Sequence, residues 1–113
     1  MSVTYKTDNL IAGKIQTQQV KFAADTYFRG MPLEYDTDND RYKYLDTGDV
    51  NGIYLGPIDA DDGTAKTANQ YDSIISGGEI YEGGIVDDSG DALTITEDII
   101  AAWAVRGFYI SKA

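Results

Sequence analysis

Histidine and cysteine are both absent from this 113-residue chain, and each absence removes a branch of chemistry. Without cysteine there are no disulfide staples, no thiolate metal ligands and no thiol nucleophile, and the redox compartment leaves no mark. Without histidine the commonest general base at neutral pH is missing. The five serines (Ser2, Ser73, Ser76, Ser89 and Ser111) therefore have no imidazole to activate them. Phosphate loops of the GxGxxG and GxxxxGK[ST] types are missing too, so nucleotide binding has no support. Basic residues are few: 9 Lys and Arg stand against 19 Asp and Glu, a formal net charge of −10. Such a surface repels phosphate backbones and anionic lipid headgroups, so neither nucleic acid nor membrane is expected as a partner. The longest strictly apolar run, residues 99–105, is far shorter than the ~18–20 residues that cross a bilayer. The front of the chain lacks the basic-then-apolar pattern of a secretory signal, and a soluble protein is expected.

Acids are plentiful, but almost all lie in Gly/Asn/Asp turns, where solvated carboxylates keep ordinary pKa values. Paired-carboxylate catalysis is not expected there, nor is any other catalytic residue or cofactor. Asp36, Asp38 and Asp40 imitate the start of a calcium loop. The sixth position, however, is Arg41 in place of Gly, and the twelfth is Thr47 in place of Glu. Asp59, Asp61 and Asp62 form a second acidic cluster with at most weak affinity for a hard cation, so no metal site is predicted.

What is present describes one small globular domain. Hydrophobic residues make up 42% of the chain, enough for a single core, and twelve glycines against two prolines indicate many turns. The charge is uneven: residues 1–33 carry four bases and two acids, whereas residues 34–113 carry 17 acids and five bases, a net of −12. That split is either chance in a short segment or a front end that meets an acidic partner.

Residues 1–12 (MSVTYKTDNLIA) are polar with scattered anchors at Val3, Tyr5, Leu10 and Ile11. They are too few to fold locally, so the segment reads as an arm that orders against something else, or else as a frayed terminus. From Gly13 onward the chain reads as strands. Residues 14–23 alternate, with a slip near Gln18 and Gln19 that suits a bulge or an edge strand. Pro32, which has no amide hydrogen, needs an edge or a bend. Leu33 and Tyr35 on one side of the turn at residues 36–40, with Tyr42 and Tyr44 on the other, define the clearest hairpin. Residues 50–58 predict another strand and residues 64–72 are ambiguous. Residues 73–76 and 79–86 predict two short strands or one broken one, with Gly77-Gly78 and Gly83-Gly84 marking positive φ or close backbone approach. One helix is predicted, with Thr96 as N-cap and Glu97 and Asp98 in the first turn. Its apolar stripe is Ile99, Ile100, Trp103 and Ala104, which buries Trp103; Arg106 lies in the last turn and Gly107 at C′. A short strand, residues 108–110, closes the chain. The expected class is thus mainly β with one short C-terminal helix (α+β): an arm over 1–12 and a β-rich body over 13–113.

Three stretches together resemble the lambda-type head decoration proteins of tailed phages. They are residues 24–35 (ADTYFRGMPLEY), Gly52-Ile53 with Ile58-Asp59-Ala60, and Gly78-Glu79-Ile80 followed by residues 93–110 with Asp98-Ile99 and Arg106-Gly107-Phe108. The likeness is one of strands, glycines and a late helix over about residues 13–112, without the Pro- and Ala-rich front of some members. It implies a compact, β-clip- or β-tulip-like domain forming homotrimers on the outer surface of the mature capsid, made in the host cytoplasm. The partners would be the major capsid protein and the chain itself. The arm (Val3, Tyr5, Lys6, Leu10 and Ile11) would add as a strand to the capsid protein, and Lys14, Tyr27, Arg29 and Tyr35 are candidates for subunit or capsid contact. The rival readings are a tail or baseplate structural module and a carbohydrate-binding β domain using exposed Tyr and Trp103.

Overall fold

The computed structural model describes residues 10–46, 48–58 and 62–112. Eight strands and one α-helix appear in the order β1 (Ile11–Phe22), β2 (Asp25–Tyr27), β3 (Pro32–Asp36), β4 (Arg41–Tyr44), β5 (Gly52–Tyr54), β6 (Thr64–Lys66), β7 (Gln70–Tyr81), α1 (Glu97–Val105) and β8 (Phe108–Ser111). A 3-10 turn at Glu82–Gly84 lies between β7 and α1. The mainly β class with one late helix is what the strand and helix periodicities predicted.

The main sheet runs β1-β4-β3-β5-β7-β8, and β1 also pairs with β7. That extra pairing closes β1, β4, β3, β5 and β7 into a ring, with β8 laid parallel along the second half of β7. Closure removes most of the open edges that a flat sheet would present to other chains. The β1–β7 ladder is the longest, running antiparallel from Ile11↔Ile80 to Phe22↔Gln70. A separate two-stranded ribbon, β2 with β6, covers one side.

Two buried clusters share this sheet. One draws Val20 and Phe22 from β1, Leu33 from β3, Tyr54 from β5 and Ile74 from β7, with Tyr27, Met31 and the half-buried Tyr42 and Tyr44, so every strand of the ring contributes. The other gathers Leu10, Val50, Ile53, Ile75, Ile80, Ile85, Trp103 and Phe108 beneath α1 and β8. Neighbours Ile53 and Tyr54, and likewise Ile74 and Ile75, point to opposite faces, so β5 and β7 are buried on both sides.

A strand that serves two cores must change its inward parity on the way. In β1, Ile11 and Ile15 pack on the core beneath α1 and β8, whereas Val20 and Phe22 lie in the other, an odd-to-even switch. The ladder register shifts between Gln16 and Thr17, where Gln16 opposes Gly77 and Thr17 opposes Ile75. Ser76 is thus the extra residue of a bulge. The slip expected near Gln18 and Gln19 is real and lies two residues earlier. Gly78, at φ 128°, is the second device: a Cβ there would stand 2.4 Å from the Lys14 carbonyl oxygen.

The β3–β4 hairpin pairs Leu33↔Tyr44 and Tyr35↔Tyr42 as the alternation required. Its turn uses Asp40 at φ 51°, and the Asp36 carboxylate accepts the Asp38 amide at 3.1 Å. Pro32 opens β3 rather than lying on an edge, since β3 is interior to the ring. The predicted strand over residues 50–58 shortens to Gly52–Tyr54, and residues 70–81 form one strand straight through Gly77-Gly78. Thr96 caps α1 by accepting the Ile99 amide at 3.3 Å, and Gly107 takes φ 90° with its amide bonded to the Ala104 carbonyl. Arg106 is the C-cap rather than part of the last turn, and its Nε donates to the Val50 carbonyl at 3.3 Å.

Beneath the ribbon lies an ion pair. Lys66 Nζ contacts Asp72 Oδ2 at 2.6 Å with the lysine side chain 3% exposed, and the Tyr54 hydroxyl donates to the same carboxylate at 2.8 Å. The ammonium also lies 5.1 Å from the Tyr54 ring centre, a cation–π contact. Burial pushes the Asp72 pKa up, but the bonds from Lys66, the Ser73 amide and Tyr54 outweigh it and hold the carboxyl below its usual range.

Candidate functional site

The residues expected to make contacts fall into different environments. Val3, Tyr5 and Lys6 lie outside the described residues. Leu10 and Ile11 do not belong to an arm: Leu10 is fully buried in the core beneath α1, its carbonyl accepts the Tyr81 amide at 2.7 Å, and Ile11 begins β1 opposite Ile80. A fully apolar Leu-Ile pair next to the β7 edge gains more by completing that core than by waiting for a partner. Leu10 and the start of β1 at Ile11 thus belong to the body, not to the arm expected over residues 1–12.

Tyr27 is likewise removed from any contact surface. Its ring is fully buried, 4.8 Å centre to centre from Phe22, and its hydroxyl donates to the Ala23 carbonyl at 2.7 Å. Burial, then the Asp25 charge, push its pKa up to about 12. Arg29 is tied to the body through Nη1, which donates to the Gly56 carbonyl at 2.9 Å. Lys14 and Tyr35 remain exposed, at different places on β1 and the hairpin.

Lys14 belongs to a three-stranded outer face. Ala12, Lys14 and Gln16 of β1 lie alongside Gly77, Glu79 and Tyr81 of β7 and Tyr109 and Ser111 of β8. Two shallow hollows of about 480 and 240 Å³ meet at Tyr109, which lines both. The larger also takes in Ser76, Gly78, Arg106 and Gly107. Tyr109 is 57% exposed over a floor of glycine backbone, where a Cβ on Gly13 would collide with the Glu79 carboxylate. That carboxylate accepts the Lys14 amide at 3.2 Å. The face offers two cations, one acid and two tyrosines on a rigid ladder, a set suited to gripping another chain. Nothing in the sequence singled out Tyr109, and Arg106 was noticed only as a helix-end charge.

Several of the acids bind the protein's own backbone. Glu34, though 7% exposed, accepts the Asp46 and Gly48 amides, both at 2.9 Å, and Asp87 accepts those of Ser89 and Asp91. Asp36 accepts Asn39 Nδ2 at 2.8 Å, and Asp40 is held by Lys21 and Tyr35, so the Asp36–Asp40 turn is occupied by internal bonds. Asp59 and Asp61 lie outside the described residues. Among the described residues no group of three or more acids is placed to hold a metal ion, and no helix is long and apolar enough to cross a membrane.

No protein-family model matches the chain, and neither a curated protein nor a solved structure was found to be significantly similar to it.

Proposed function

We propose that this chain is a structural decoration protein that attaches as a trimer to the outside of a mature tailed-phage head and stabilises it. The observation that carries the reading is the anchorage of Leu10. The segment that precedes it, with Val3, Tyr5 and Lys6, is joined directly to a core side chain and to the longest ladder among the described residues. Load on such a segment passes at once into a closed ring instead of a loop. Strand addition to the capsid protein would supply the main-chain bonds. Three weak arms on one trimer would raise avidity by ~10²–10⁴. Binding to the mature shell alone stabilises that shell by mass action. The exposed Lys14, Arg106 and Tyr109 face adjoins this anchorage and supplies a second grip. No catalytic step is part of this role.

Trp103 is 5% exposed, so a sugar site built on that ring has no support. A tail or baseplate module is separated from a head protein by copy number, tens against hundreds per particle.

The test adds the protein to expanded, undecorated heads of the phage encoding it and counts bound copies. The truncation to compare removes residues 1–9, because removing Leu10 would open the core and confuse unfolding with lost binding. Saturable binding by the full chain that vanishes with the truncation is expected. Absence of binding by the full chain would reject the decoration role, and binding that survives truncation would reject the arm.

A further inference from the structure

Further along β1, a separate cleft of about 260 Å³ opens between Gln18, Gln19 and Lys21 of β1, Tyr71 of β7, and Tyr35, Asp40 and Tyr42 of the β3–β4 hairpin. Tyr71 opposes Lys21 in the ladder and is 62% exposed. Tyr35 and Tyr42 face each other with ring centres 5.4 Å apart and planes at 60°. Asp40 is fixed from two sides, by the Tyr35 hydroxyl and by Lys21 Nζ at 3.3 Å. The Tyr35 bond, then Lys21, hold its carboxyl below the usual range, so it stays an acceptor at neutral pH. Gln19 shares the outward face of β1 with Lys21, and its side-chain amide offers both donor and acceptor beside Tyr71.

The chemistry narrows the occupant. A free cation meets Lys21, and an anion meets Asp40 and a molecule of net charge −10. A purely apolar ligand would strip water from the amides and the ion pair without replacing its bonds. A protein interface of ordinary size needs ~800 Å² per partner with few charges at its centre, whereas an ion pair and two amides line this cleft. A neutral sugar ring fits: its C–H face lies on an exposed tyrosine, and its hydroxyls both donate and accept. The volume is below the ~300 Å³ at which drug-sized pockets begin, suited to about one ring.

We propose that this cleft binds a neutral hexose unit of a glycan, stacked on Tyr71 and hydrogen-bonded by Gln19 and Asp40. This goes beyond the decoration role and does not depend on it.

The test is an amide-shift NMR titration of the full chain with lactose, maltose, mannobiose and diacetylchitobiose, with sialyllactose as the charged comparison. At least one neutral sugar should shift residues 18–21, 35–42 and 71 saturably, with a dissociation constant on the order of 1 mM. Tyr71→Ala, at an exposed position, should keep the melting temperature and weaken that sugar by about tenfold or more, and Gln19→Ala should weaken it too. Sialyllactose should bind more weakly than lactose. No saturable shift from any neutral sugar overturns the proposal, as does binding unchanged in Tyr71→Ala. If Tyr71→Ala instead alters sedimentation mass or copies bound per head, with no sugar response in the parent chain, the cleft is a protein interface and the glycan assignment fails. Head binding is read in a separate assay, so loss of one reading leaves the other standing.

Discussion

Single side chains set the alkaline limit of this protein. Tyr27 has its pKa raised from 10.0 to about 12. A phenol with a raised folded-state pKa contributes stability that is fully present below pH 10 and is lost as the pH climbs through 12. Two units correspond to about 3 kcal/mol, drawn from a ring with no solvent exposure. Lys66 acts in the same direction: burial lowers its pKa, but the bonds to Asp72 and Tyr54 win and raise it. Urea denaturation at a series of pH values should show stability falling between pH 10 and 12. Tyr27→Phe should cost about 1 kcal/mol at pH 7, for the lost bond to Ala23, and should flatten that fall. An equally steep fall in the variant would show that Tyr27 is not the group responsible.

At the scale of elements, the β2–β6 ribbon is fastened to the ring by one charged contact. Only three residues pair on each strand, too few for a two-stranded ribbon to stand alone, so its order depends on what lies beneath. Tyr27 supplies the apolar part and the Lys66–Asp72 pair the polar part. Removing the acid leaves a nearly buried ammonium uncompensated, whereas removing both partners leaves an apolar contact. Asp72→Ala should therefore destabilise by about 2–3 kcal/mol, a figure reduced from the fully buried case because the Asp72 side chain is 34% exposed. Adding Lys66→Met should recover at least half of that loss. Chemical denaturation of the two variants measures it, and additive losses would show that the pair is not coupled. The strand glycines act at this scale too, since Gly78 lets β7 pass against β1 while both strands exchange one core for the other.

The whole molecule is defined by closure. Its main ladder joins residues 69 apart in sequence at one end (Ile11 and Ile80) and 48 apart at the other (Phe22 and Gln70). The entropy of closing such loops must be met before the contacts form, so the ring should fold slowly for its size. Stopped-flow refolding monitored by Trp103 fluorescence should give a main phase in milliseconds to seconds. Because Trp103 lies in one cluster and Phe22 in the other, and β5 and β7 serve both, a single cooperative transition is expected. Microsecond folding, or separate near- and far-ultraviolet transitions, would contradict a shared scaffold.

Local chemistry determined a good deal from sequence alone. The Thr96 cap, the Glu97 and Asp98 turn, the buried Trp103 and Gly107 at C′ were legible because helix ends are decided by neighbours a few residues away. The Tyr35↔Tyr42 hairpin was legible for the same reason, its turn and its alternation lying within twelve residues. Only the tertiary structure decided that β1 returns to pair with β7, that Leu10 and Ile11 belong to the core, and that Tyr27 is inside while Tyr71 and Tyr109 are outside. A tyrosine on a strand suits either face by its own chemistry, and a Leu-Ile pair suits an arm or a core. The choice is made by distant residues, Ile80, Phe108 and Tyr54 among them, whose meeting depends on topology and leaves no mark on local sequence.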